Sequence, residues 1–190
     1  MEIEQEILKM KELFRTKWTP KRHRVFEPTN FTDVILLVED QRIHFNKALL
    51  SMHSEFFNAL FNSDFKEKSM EEIPIEDVDY DDFAHLLAII HPDPEFPNDY
   101  ISEKLLELAD RFMMPAVTKI VENLFMRATS LENSYVLYLA DRYKMSKLFN
   151  KCLGDLKTIQ DVKNVKNSID CINLSDAAKI RLLDLVCSFD

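Results

Sequence analysis

This chain of 190 residues contains one glycine, Gly154. Glycine lets a backbone enter left-handed conformations and approach an anion closely. P-loops, Rossmann turns, kinase glycine-rich loops and the G-x-S-x-G nucleophile elbow all depend on it. A single glycine in the C-terminal third excludes all of these. The chain is confined to functions that need no glycine-built phosphate loop.

The charge balance narrows the field further. There are 24 Lys and Arg against 33 Asp and Glu, a net charge of −9. A protein that binds nucleic acid through its phosphates carries the opposite sign, so direct nucleic-acid binding is not expected. Three cysteines, Cys152, Cys171 and Cys187, are an odd number with no C-x-x-C spacing. That argues against a disulfide framework and against structural zinc. The expectation is buried, reduced thiols in a cytoplasmic or nuclear protein. The charged opening MEIEQEILKMKELF is not a signal peptide. No apolar run reaches membrane-spanning length, so no membrane partner is expected.

One phrase occurs twice: LLELADRFMM at Leu105–Met114 and VLYLADRYKM at Val136–Met145. Leu105, Leu108, Ala109 and Phe112 form one helical stripe, and Leu137, Ala140 and Tyr143 form the second. Pro115 suits the first residue of a following helix. Ser146, at the same offset, suits an N-cap. Each phrase is therefore predicted to be the first helix of a helical hairpin, and two such pairs can stack. Duplication and convergence on a good helix end both fit.

Residues 2–18 read as an amphipathic helix with Ile3, Ile7, Met10, Phe14 and Trp18 on one stripe. It packs either on its own domain or on a second subunit. Thr19-Pro20 ends it, and Lys21-Arg22-His23-Arg24 follows as a solvated linker or a nuclear-import signal. Residues 33–38 read as a buried strand, and Arg42–Phe45 returns in alternation as a hairpin. Asn46 is placed to cap a helix through Leu50, and a second short helix carries Phe56, Phe57, Leu60 and Phe61. Ile73-Pro74-Ile75 reads as an edge strand because of its proline. Asp79 caps a helix through Phe83, Leu86, Leu87 and Ile90, with Asp82 favouring the helix dipole. His91–Asp99 carries three prolines and reads as a loop; the rest is helical.

No chemistry is nominated. No two of the five histidines are paired at i, i+4, none lies near a cysteine, and H-E-x-x-H is absent. The loop with His91, Asp93, Glu95 and Asp99 lacks EF-hand spacing and its glycine. The expectation is a binding module with no catalytic residue, cofactor or metal.

The order of these elements resembles a BTB/POZ domain. The resemblance rests on Asp33-Val34-x-Leu36, then Asn46-Lys47-Ala48-Leu49-Leu50-Ser51-x-x-Ser54-x-Phe56-Phe57-x-x-Leu60-Phe61. It continues through Glu72-Ile73-x-Ile75-x-Asp77-Val78 and Phe83-x-x-Leu86-Leu87-x-x-Ile90-His91, and closes on Leu105-Leu106-x-Leu108-Ala109-Asp110-Arg111-Phe112. It is most similar to the BTB half of MATH-BTB proteins. The second phrase resembles the start of the BACK region that follows BTB domains in cullin adaptors. Departures from the family pattern are Asn46 for His, Glu39-Asp40-Gln41 for a glycine-containing turn, and His91 and Asp93 for Tyr and Gly. No MATH domain, kelch repeat or zinc finger is legible, so no substrate is named.

The resemblance implies an α+β BTB/POZ fold, a small sheet packed with helical hairpins, followed by an all-α extension. The expected divisions are 1–30, 31–127 and 128–190. It implies a homodimer, with the N-terminal helix (Ile3, Ile7, Met10, Phe14) crossing to the partner and a charged pair, Asp33 and Lys47, near the interface. It also implies binding of the cullin-3 N-terminal domain through an apolar-x-Glu motif, here Phe65-Lys66-Glu67, with Phe61 beside it. The chain would then be an adaptor for a ubiquitin ligase. The alternative is a scaffold unrelated to ubiquitin, such as a transcriptional co-regulator or a partner of other BTB chains.

Overall fold

The computed structural model describes residues 25–62 and 70–189. The stripe Ile3, Ile7, Met10, Phe14 and the triplet Phe65-Lys66-Glu67 lie outside the described residues. The chain divides into two compact units after Val117.

The first unit is built on a three-stranded sheet. β1 (Val34–Val38) pairs antiparallel with β2 (Gln41–Phe45), and parallel with β3 (Glu72–Pro74), in the order β2-β1-β3. Val34, Leu36 and Val38 are buried while Ile35 and Leu37 are half-buried, as strand alternation requires. Pro74 lies on the edge strand, where its missing N–H interrupts no ladder; the next residue, Ile75, donates its N–H to the Leu37 carbonyl at 2.9 Å.

Register fixes the hairpin turn. Val38 opposes Gln41, so Glu39-Asp40 is a two-residue loop with φ of 47° and 62°. Both signs are those of a type I′ turn, which usually takes Asn-Gly. The turn is made without glycine, and the Glu39 carboxylate accepts the Tyr80 N–H at 3.0 Å.

Four helices complete the described part of this unit. α1 (Lys47–His53) is capped by Asn46, whose Oδ1 accepts the Leu49 N–H at 2.9 Å. α2 (Glu55–Asn62) buries Phe57 and Phe61. α3 (Tyr80–Ile90) starts at Asp79, which accepts the Asp82 N–H, and buries nine of its eleven residues, which makes it the central helix of the core. α4 (Asp99–Arg111) starts one residue earlier than expected. Asn98 accepts the Tyr100 and Ile101 N–H groups, so Asp99 is helical rather than part of the proline loop.

α5 (Pro115–Arg127) begins on Pro115 and carries the division between the units. The second unit continues with α6 (Asn133–Arg142), α7 (Ser146–Asp155), α8 (Ile159–Asn167), a 3₁₀ turn (Ile169–Asn173) and α9 (Asp176–Cys187). The predicted cap at Ser146 is corrected. Ser146 is the first helical residue, Met145 occupies the cap position with no side-chain bond, and Glu122 supplies the acceptor. Its Oε1 takes the N–H groups of Lys147 and Leu148 at 3.1 and 3.2 Å. α8 has a full capping box between Thr158 and Asp161.

The doubled phrase encodes a doubled helix stop. In the first copy Met113 is left-handed (φ 51°), its N–H reaches the Asp110 carbonyl, and the Met114 N–H reaches that of Ala109 at 2.7 Å. In the second, Lys144 is left-handed (φ 56°), its N–H reaches Asp141, and the Met145 N–H reaches Ala140 at 2.8 Å. Both are Schellman motifs, and the residues three before and two after the cap, Ala109 and Met114 in one and Ala140 and Met145 in the other, are buried. The left-handed position normally favours glycine, and here it is Met or Lys. Lys144→Gly and Asp40→Gly are each expected to raise stability by about 0.5–1 kcal/mol, by relieving the left-handed strain. A higher denaturant midpoint in each variant checks this, and a lower one would show that the side chains compensate for the strain.

Candidate functional site

The expected site residues that are described converge on one corner of the first unit. Asp33, at the mouth of β1, is exposed and accepts the Lys47 backbone N–H at 2.7 Å. The Lys47 ammonium lies 5.6 Å from the centre of the Phe61 ring, a cation–π contact. Phe61 is 7% exposed and stacks on Phe57 at 5.8 Å. Asp33 and Lys47 thus meet through the backbone, and the Lys47 charge is directed to an aromatic face. Two residues expected at a dimer interface and one expected at a cullin contact form a single chain from β1 through α1 to the end of α2.

Beneath this corner is an aromatic cluster. Phe57 stacks on Phe112 (5.7 Å, 11° between planes), and Phe83 meets Phe112 edge-on at 5.1 Å. Phe56, 37% exposed, meets Phe57 and Phe112 edge-on at 5.1 and 5.4 Å. Offset and edge-on pairs at these distances are favoured beyond their buried area.

Two polar residues that the sequence reading did not single out hold this arrangement. Ser54, 1% exposed, accepts the Phe57 N–H at 3.0 Å and donates its hydroxyl to the Phe112 carbonyl at 2.6 Å. It caps α2 and ties it to the end of α4. Its signal was legible, since a serine directly before an apolar helical run is an N-cap pattern. Arg111 donates from both terminal nitrogens to the carbonyls of Glu76 and Asp77, at 2.7 and 2.8 Å. It thereby fixes the turn in which Asp77 is left-handed (φ 56°). No local pattern announces such a contact.

The histidines have structural surroundings. His85 is buried on α3. His91 ends α3, its Nδ1 accepting the Asp93 N–H and its ring meeting Phe45 edge-on at 6.3 Å. Among the described residues no three His, Cys, Asp or Glu side chains are grouped to hold a metal. No helix of the described residues is long and apolar enough to cross a membrane.

The cysteines depart from the expectation of buried thiols. All three are free, but only Cys152 is buried; Cys171 is half-buried and Cys187 exposed. Burial pushes the Cys152 thiol up to about 11, with Lys151 opposing the shift. A thiol raised on folding favours the folded state while it stays protonated. That contribution is present below pH about 9 and is lost as the pH rises toward about 11. Alkylation of the dilute folded protein at pH 8 is therefore expected at Cys187 first and at Cys152 last, as peptide mapping would show. Early modification of Cys152 would mean that the second unit opens readily.

The second unit has a cavity of about 510 Å³ among α5, α6, α7 and α8. Its lining includes the apolar side chains of Phe125, Val136, Leu156 and Val165 and the charged side chains of Lys151 and Asp155.

Comparison with known proteins decides the family. The family model described as BTB/POZ domain matches residues 23–130, more than half of the chain. The chain belongs to the BTB/POZ family. The BTB match runs past Val117 to the far end of α5 and on to residue 130. The chain is 36% identical over 160 residues to BTB/POZ domain-containing protein Y57A10B.3 of Caenorhabditis elegans, covering 84% of this chain and 50% of that protein. It is 34% identical over 172 residues to BTB and MATH domain-containing protein 36 of the same organism, covering 88% and 51%. It is 27% identical over 141 residues to Kelch repeat and BTB domain-containing protein 1 of Camelpox virus (strain CMS), covering 72% and 25%. The chain thus spans about half the length, or less, of the curated relatives it matches. The small sheet, the helical cluster and the helical tail are the α+β BTB architecture that the sequence implied. A BTB domain is a protein–protein interaction module.

Proposed function

We propose that this chain is a dimeric BTB adaptor that recruits the N-terminal domain of cullin-3 and acts by proximity, without chemistry of its own. The observation that carries the reading is the place of Phe65-Lys66-Glu67 within the BTB frame. In the sequence the triplet begins three positions after Asn62, the last residue of α2, whose last turn is anchored by Phe61 on Phe57 and by the Lys47 ammonium over Phe61. In the cullin-binding families that the chain resembles, an apolar-x-Glu motif stands at this point. A large aromatic can fill a pocket on the partner while the carboxylate accepts hydrogen bonds at its rim. Phe61 acts in this account as the internal anchor of the helix that presents the motif. An extended segment of the cullin docks, in this reading, in the cavity of the second unit, whose lining carries both apolar and charged side chains.

Dimerisation uses the stripe Ile3, Ile7, Met10, Phe14, with Asp33 and Lys47 near the interface. The substrate is held by parts of a longer assembly or by another BTB-containing protein, in the cytoplasm or nucleus. Light scattering at micromolar concentration is expected to give twice the 22.4 kDa chain mass, and a complex with added cullin-3 N-terminal domain that contains both proteins. A monomeric mass would contradict the dimer, and separate elution of the two proteins the adaptor. Co-elution with other BTB proteins instead of the cullin would favour the scaffold reading.

A further inference from the structure

The connection between α5 and α6, residues 128–132, carries two adjacent hydroxyls that the adaptor reading does not use, Thr129 and Ser130. They are not equivalent. Thr129 is half-buried, and its Oγ1 accepts the Leu131 N–H at 3.1 Å. Ser130 is exposed. Arg127, the last residue of α5, is exposed three positions before it and makes no ion pair with a described residue. Among all the serines and threonines of the chain, Ser130 alone has an arginine three positions before it.

We propose that Ser130 is a phosphorylation site for an arginine-directed protein kinase. Such an enzyme takes its substrate as an extended, exposed segment. It holds the arginine three before the acceptor between carboxylates of its own cleft, through a charge-assisted fork that lysine does not reproduce. The fold presents such a segment. Residues 128–130 belong to no helix or strand, and the Ala128 N–H reaches the Leu124 carbonyl at 3.2 Å, at a helix end where fraying costs little. Other hydroxyls are tied into the fold: Ser54 and Ser102 are buried, Ser175 is bonded to Asp141, and Thr158 is held in its capping box. In the transfer the Ser130 Oγ bonds to the γ-phosphorus of ATP. The bond from that phosphorus to the oxygen bridging to the β-phosphate breaks, ADP leaves, and the hydroxyl proton passes to a carboxylate base of the kinase. The product changes the cavity of the second unit. Thr129, Leu131 and Glu132 line that cavity, so the phosphate stands between lining residues. The lining already sets three carboxylates, Glu132, Asp155 and Asp161, against one ammonium, Lys151. Phosphoserine adds a charge of about −1.5 to −2, of which Arg127 offsets a part. The cavity is thereby turned against acidic segments and toward basic ones. That consequence rests on the cavity being the docking place proposed above, whereas the modification itself does not.

The full chain is incubated with calcium/calmodulin-dependent protein kinase II and magnesium ATP. Phosphate is followed by intact mass and located by peptide mapping. Incorporation on Ser130 is expected, and none there in Ser130→Ala. Arg127→Gln should slow the transfer about tenfold or more, and Arg127→Lys should recover only part of the rate. Both positions are exposed, and circular dichroism confirms that the variants are folded. A peptide of residues 123–134 serves as the unfolded control. Phosphate found only at other residues, a rate unchanged in Arg127→Gln, or transfer to the peptide but not to the folded chain each overturns the proposal. None of these outcomes depends on cullin binding, so failure of the adaptor reading would leave the result standing.

Discussion

Phe112→Ala is expected to destabilise the first unit by about 3–5 kcal/mol, the usual cost of removing a fully buried phenylalanine. Its ring meets Phe56, Phe57 and Phe83, all within 6 Å between centroids, and it is 2% exposed. Alanine leaves a void bordered by three rings, two on α2 and one on α3, so the site cannot collapse without moving one of these helices. Domain stabilities are about 5–15 kcal/mol, so this one change removes about a fifth or more of the total. Urea unfolding followed by circular dichroism measures it. A loss below about 1 kcal/mol would mean that the cluster is not the centre of this core.

Ser54→Ala is expected to be the next most damaging change, at about 2 kcal/mol, although it removes a single oxygen. The hydroxyl satisfies two buried groups at once, the Phe57 N–H and the Phe112 carbonyl. Both lose their partner in alanine, and the cap of α2 is lost with them. Because Ser54 bonds the carbonyl of Phe112, the two substitutions should not be additive, and the double variant should lose less than the sum. Ser54→Thr keeps the hydroxyl and should recover part of the loss. A Ser54→Ala variant as stable as the parent would show that water replaces the hydroxyl there.

What could be read from the sequence was what local physics encodes. The hairpin followed from β-branched alternation at 33–38 and 42–45, and the caps at Asn46 and Asp79 from residue types that compete for backbone N–H groups. The helix stops followed less directly. The repeated phrase marked two helix ends, but nothing in Met113 or Lys144 announces a left-handed backbone. That conformation goes with the closing bonds of Met114 on Ala109 and of Met145 on Ala140, all four residues being buried. The scarcity of glycine was read as an exclusion of phosphate loops. It also has a structural consequence. Among the described residues, the five left-handed ones, with φ between 47° and 62°, are Glu, Asp, Met or Lys, while Gly154 lies inside α7.

Long-range polar contacts were not legible. Glu122 caps α7 from α5, and Asp141 accepts both the N–H and the hydroxyl of Ser175 at 2.6 and 2.8 Å. Each joins residues more than twenty apart, and such pairs leave no periodic trace. Ser146 was therefore read as a cap that Glu122 in fact supplies. The candidate corner shows the same division. Asp33, Lys47 and Phe61 were each picked out by the family pattern, but their linkage through a backbone N–H and an aromatic face depends on the fold.

Calorimetric titration of the cullin-3 N-terminal domain into this chain, beside a Phe65→Ala/Glu67→Ala double variant, tests the adaptor reading most directly. Binding by the parent that the folded double variant loses is the result this account predicts. Absence of heat with a folded, dimeric parent, or equal affinity in the double variant, would contradict it.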